Sequence, residues 1–95
     1  MANSSADTAL QHLREQVSGN DQTILEALNR RIQLVEDIKA YKKAQKLDFF
    51  DAAQEDRVLA DLCQANRGPM TDEGLREIFE YLLKWTKQEI EKFHP

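Results

Sequence analysis

The apolar positions recur at helical spacing from one end of the chain to the other, and two breaks divide them into three stretches. From Thr8 to about Lys46 there is no proline and the only glycine is Gly19. In this stretch Arg14, Asp21, Leu28, Val35 and Lys42 fall seven residues apart, and Val17, Ile24, Arg31 and Ile38 keep the companion register. The two sets are the a and d places of one continuous heptad frame. Leu10, Leu13, Leu25, Ile32 and Leu34 widen the apolar face. The spacing predicts one very long helix starting near Asp7–Thr8, after a disordered tail over residues 1–6. Gly19-Asn20-Asp21 is its weak point.

Residues 43–50 lose the pattern and predict a loop. Asp51-Ala-Ala-Gln54 then has the form of a capping box, an acceptor side chain followed three residues later by Gln. A short helix follows to about Asn66, with Val58, Leu59, Leu62 and Ala65 on one face, and Arg67-Gly68-Pro69 ends it. Thr71 is the next predicted N-cap, with Asp72 and Glu73 in the first turn and Met70 and Leu75 spaced as a hydrophobic staple. A medium-length helix to about Phe93 carries Leu75, Ile78, Phe79, Leu82, Leu83, Ile90 and Phe93. The fold class is all-α, three helices per chain, with residues 7–95 as a single domain.

The first helix is too long for its own domain. At 1.5 Å per residue it would run about 55 Å, against a radius of gyration near 13 Å for a compact domain of about 100 residues. An overhanging amphipathic helix needs cover, and the simplest cover is a second copy in an intertwined helical homodimer. The alternative is a break at Gly19 and a fold back into a monomeric four-helix bundle.

Composition narrows the function. With 41% hydrophobic and 32% charged residues but only three Gly and two Pro in 95 residues, the chain is neither disordered nor a many-turned β fold. A net charge of -4 argues against general binding to nucleic acid or to an anionic membrane surface. No apolar run approaches the roughly 18 residues of a membrane span, and the first residues lack the features of a signal peptide. The single cysteine, Cys63, fits a reducing, cytoplasmic setting and reads as a small core residue. His12 and His94 are far apart without metal-ligand spacing and read as surface residues, and Tyr41, Tyr81 and Trp85 read as packing residues. No Gly-rich phosphate loop, nucleophile elbow or zinc spacing occurs. Any chemistry is therefore expected to use no nucleophile, metal or cofactor.

Cations stand in the apolar seam. Arg14, Arg31 and Lys42 all hold a or d places, where an unpartnered charge is costly and so is usually paired or functional. Arg31 and Lys42 are three turns apart, about 16 Å along the axis, so long side chains leaning together would grip the two ends of one small dianion. Arg14, about 25 Å from Arg31 on a straight helix, can join such a site only from an antiparallel partner. Three cations against a low-dielectric wall suit a dicarboxylate. The alternative is internal ion pairing, with Asp21 as one acceptor and Lys42 snorkelling to water. Asp51, Gln54 and Glu55 cluster at the start of the second helix. Glu55 lies one turn before Val58 and Leu59 and points inward, either to accept a ligand hydroxyl or to pair with an inward cation. Asp51 is a ligand contact or a pure cap. Thr86, among Leu82, Leu83 and Ile90, lines the pocket or bonds the carbonyl one turn back.

These residues resemble the all-helical chorismate mutases, the chorismate mutase type II family. The resemblance covers about residues 10–90 and rests on Leu13-Arg14-Glu15, Asp21, Leu28-Asn29-Arg30-Arg31, Ile38-Lys39-Ala40-Tyr41-Lys42, Asp51-Ala-Ala-Gln54-Glu55, and Ile78-Phe79 before Thr86. It implies an intertwined homodimer with two equivalent sites, in which chorismate rearranges to prephenate by a cofactor-free pericyclic shift on the route to phenylalanine and tyrosine. By that resemblance Arg31 binds one substrate carboxylate and Arg14 of the partner chain the other. Lys42 stabilises charge on the ether oxygen, and Asp51 and Glu55 hold the ring hydroxyl. The sequence departs from the family at Gln54, where Arg is usual, and at Ile90, where the family has a Gln that also bonds the ether oxygen. Gln88 and Glu89 are the polar neighbours, and a shift of the helix would be needed to bring either inward. An isochorismate-pyruvate lyase or a 4-amino-4-deoxychorismate mutase of the same fold, and a non-catalytic helical adaptor, are the alternatives.

Overall fold

The computed structural model describes residues 4–93, with side chains from Ser5 onward. Met1–Asn3, His94 and Pro95 lie outside the described residues, so the surface position expected for His94 and the first half of the expected tail do as well. Three helices follow one another: α1 (Ser4–Ala44), α2 (Ala52–Ala65) and α3 (Asp72–Phe93). No strand occurs among the described residues, and no helix there is long and apolar enough to cross a membrane. The chain divides into two compact units, one ending at Arg31 and the other beginning at Ile32.

The start of α1 differs from the sequence expectation. The helix begins at Ser4, three residues before Asp7. It passes unbroken through Gly19-Asn20-Asp21, as the continuous heptad frame predicts, and not with the break held as the alternative. One interior glycine costs about 1 kcal/mol relative to alanine but removes no backbone donor, so it weakens a long helix without ending it. At the other end α1 stops at Ala44, inside the loop expected over residues 43–50, and the hydrogen bonds give the reason. The Leu47 N–H donates to the Lys42 carbonyl at 2.8 Å and the Lys46 N–H to the Lys43 carbonyl at 3.2 Å. Lys46 itself has φ +59°. That is the Schellman arrangement, here with a lysine where glycine is usual. The left-handed conformation costs an L-residue with a Cβ about 1–2 kcal/mol, and the two satisfied carbonyls offset it.

In the unit ending at Arg31, the described part of α1 carries Leu10, Leu13, Val17, Ile24 and Leu25 with 45–60% of their surface open. The helix that the heptad pattern predicts is thus present, with an open apolar stripe in this unit.

The unit from Ile32 onward has its core where α2 packs on α3. Leu59 of α2 and Leu75, Thr86 and Ile90 of α3 are its buried residues. Asp51 caps α2, its Oδ1 accepting the Gln54 N–H at 3.1 Å. Thr71 caps α3, its Oγ1 accepting the Gly74 N–H at 3.0 Å. Between them Asn66 organises the turn: its Nδ2 donates to the Met70 carbonyl at 2.7 Å and its Oδ1 accepts the Gly68 N–H at 2.9 Å. Gly68, at φ +77°, is a position that favours the residue without a Cβ. Val58, Leu62, Cys63, Phe79, Leu82, Leu83 and Trp85 are half-buried, whereas Ala65, Ile78, Phe93, Tyr41 and Tyr81 are exposed. The two tyrosines expected to pack thus keep about two-thirds of their surface open.

Candidate active site

Lys42 is fastened twice to the loop that follows it. Its carbonyl accepts the Leu47 N–H in the helix-ending motif, and its half-buried ammonium donates to the Phe49 carbonyl at 3.2 Å. The Lys39 ammonium lies 5.9 Å from the centroid of the Phe49 ring, within cation–π range. The loop thereby hands the chain directly to Asp51. Leu34, Asp37, Ile38, Tyr41, Lys42 and Leu47 line a shallow apolar groove on this side of α1.

At the head of α2, Asp51 is an N-cap; the side chain is exposed and its carboxylate has a second oxygen. Gln54 is exposed and gives its backbone N–H to that cap. Glu55 turns inward, half-buried, and its Oε1 accepts from the Lys87 ammonium at 2.7 Å. The ion-pair alternative for Glu55 is thus the observed state, with a cation that sequence reasoning did not single out. Lys87 also lies 4.6 Å from the centroid of the Phe50 ring, one residue before the α2 cap.

On α3, the Thr86 hydroxyl donates to the Leu82 carbonyl at 2.7 Å, and Thr86 and Ile90 are each only 1% exposed. Gln88 is exposed, and Glu89 pairs with Lys92 at 2.7 Å. The hydrogen bond to Glu89 and its negative charge raise the Lys92 pKa. The face of α3 directed into the unit thus presents Thr86 and Ile90, while Gln88 lies on the exposed side and Glu89 is engaged with Lys92. Lys42, Asp51, Gln54, Glu55, Thr86 and Ile90 all belong to the unit from Ile32 onward, and Arg14 and Arg31 to the other. Arg14 is exposed on α1; Arg31 is half-buried. Among the described residues no cluster of His, Cys, Asp and Glu has the geometry to hold a metal ion.

Fold and site define an all-helical protein in which the α1–α2 loop is tied to Lys42 through Phe49 and to Lys87 through Phe50, and Lys87 in turn to Glu55 of α2. The chain belongs to the chorismate mutase type II family, whose sequence description matches residues 13–91. It is similar to the chorismate mutase of Thermus thermophilus in two solved forms. Form I is 32% identical with a TM-score of 0.79, over 82% of this chain and 98% of that one. Form II is 31% identical with a TM-score of 0.81, over 87% of this chain and 94% of that one. No curated protein matches significantly.

Proposed function

We infer that the protein is a chorismate mutase, an isomerase that converts chorismate to prephenate and serves phenylalanine and tyrosine biosynthesis in the cytoplasm. The observation that carries this reading is the family match over residues 13–91, which spans every candidate site residue from Arg14 to Ile90. The reaction is an intramolecular rearrangement. The ether carbon–oxygen bond breaks as a carbon–carbon bond forms, with no proton transfer, covalent intermediate or cofactor. The protein's work is to hold a flexible dianion in its folded conformer and to place positive charge where negative charge develops.

In this reading Arg31 takes one carboxylate, and Arg14 of the partner subunit takes the other in a homodimer. The open apolar stripe of α1 supports such a pairing, since burying it against a second copy is the simplest way to remove it from water. Lys42 faces the ether oxygen; its ammonium has three N–H donors and spends one on Phe49. Asp51 and Glu55 accept the ring hydroxyl, and Gln54, Thr86 and Ile90 line the pocket.

Mixing the protein with chorismate and following the loss of its ultraviolet absorbance, with prephenate identified as product, tests the assignment. Prompt turnover is expected, and inertness of a folded, dimeric sample would overturn it. Ile90→Gln is expected to increase turnover roughly tenfold, part of the 10²–10³ that a donor to developing charge contributes. The gain is partial because the new amide enters a site that is 1% exposed. Burying that group costs about 1–3 kcal/mol where it finds no partner, so the melting temperature should fall as the rate rises. A folded Ile90→Gln chain with an unchanged or lower rate would remove residue 90 from the pocket.

A further inference from the structure

We propose that Lys87 is a positioning residue for the substrate's ring hydroxyl, holding the Glu55 carboxylate in the orientation that accepts it; this rests on the chorismate mutase reading. Lys87 and Glu55 are 32 residues apart on different helices, and their 2.7 Å contact ties α3 to the first turn of α2. A glutamate side chain has three rotatable bonds, and at 31% exposure nothing apolar encloses this one tightly enough to fix it. A charge-assisted hydrogen bond is short and directional, and supplies that constraint. It occupies Oε1 and leaves the other carboxylate oxygen to receive a hydroxyl.

The lysine is itself held. The Phe50 ring lies 4.6 Å from its ammonium, and Phe50 directly precedes Asp51, the other carboxylate proposed for the same hydroxyl. Phe50, Lys87 and Glu55 thus form a bracket around the entry of α2. Its contribution to stability should be small, because both partners are about one-third exposed and ion pairs of that kind add little. Orientation is what the contact supplies. The neighbouring Thr86 hydroxyl is committed to the Leu82 carbonyl and Ile90 has no polar side-chain atom, so neither of these inward α3 residues takes this part.

The test is a double-mutant cycle on chorismate turnover with Lys87→Met, Glu55→Gln and the pair together, plus Lys87→Arg. Lys87→Met is expected to reduce kcat about tenfold, a fraction of the 10² that a misplacement of about 1 Å can cost. Melting temperature and oligomeric state should stay unchanged. Lys87→Arg should keep most of the activity, and Lys87→Met should cost nothing further in the Glu55→Gln background. Lys87→Gln serves as the second variant if methionine disturbs folding. Full activity of Lys87→Met, or the same tenfold loss with and without Glu55, overturns the proposal. A wild-type chain inert toward chorismate overturns the mutase reading and this role with it, whereas an active wild type with an indifferent Lys87 overturns this role alone.

Discussion

Lys42→Ala is expected to reduce chorismate turnover by about 10²–10³, the range associated with deleting one preorganised group that faces developing charge. The effect should fall on kcat, because the ether oxygen becomes strongly negative only as its bond to carbon breaks, so the interaction is made mainly in the transition state. Arg31→Ala should behave differently. In the proposed site it removes a partner of a carboxylate that is charged before and during the reaction, so KM should rise along with any fall in kcat. Folding is not the cause in the first case. Lys42 contributes one half-buried hydrogen bond to the Phe49 carbonyl, worth about 0.5–1.5 kcal/mol net, and the Schellman bonds that end α1 use only its backbone. Lys42→Arg separates charge from geometry. It keeps the cation but spreads it over a rigid planar fork that need not reach both the loop carbonyl and the substrate, so an intermediate rate is expected. Steady-state kinetics on the three variants, beside their thermal melts, decide the matter. A folded Lys42→Ala protein within tenfold of wild type would exclude Lys42 from the reaction centre.

The elements were legible wherever local chemistry sets them. Asp51 and Thr71 cap their helices through the side-chain oxygens that sequence spacing predicts, because an N-cap is decided within four residues. Thr86 was equally readable, since a hydroxyl in mid-helix has the carbonyl one turn back within reach. The end of α1 showed in the loss of pattern after Lys42, but the motif that closes it did not, because its signal is usually glycine in the left-handed position and Lys46 holds that conformation instead. Gly19 did not break the continuous helix that the heptad frame predicts: its modest propensity cost is carried inside 41 residues of helix.

The site was legible only in part for a related reason. The residue types at Lys42, Asp51 and Glu55 follow from the heptad frame and the cap. The cation that meets Glu55 depends on how α2 and α3 pack, and Lys87 carries no mark in sequence separating it from Lys84 or Lys92. A tertiary ion pair across 32 residues is set by helix register and distance, neither of which a local pattern encodes. The same holds for Arg14, whose proposed function is not decided within one chain at all.

Mixing two inactive variants should restore activity, and the amount is fixed by symmetry. If each site takes Arg31 from one chain and Arg14 from the other, Arg14→Ala homodimers and Arg31→Ala homodimers each lack one cation in both sites. In a heterodimer one site draws both defects and the other draws neither. Random exchange makes half of the dimers mixed, with one of two sites intact, so recovery should approach about a quarter of wild-type activity at equal total protein. Recovery should also wait on dissociation, and prior incubation at low concentration or in mild denaturant should speed it. Sites built within a single chain would predict no gain at any mixing ratio, since every site would keep its own missing arginine. Subunit exchange verified by mass, followed by activity no higher than the sum of the two parents, would therefore eliminate the shared site while leaving the family assignment untouched.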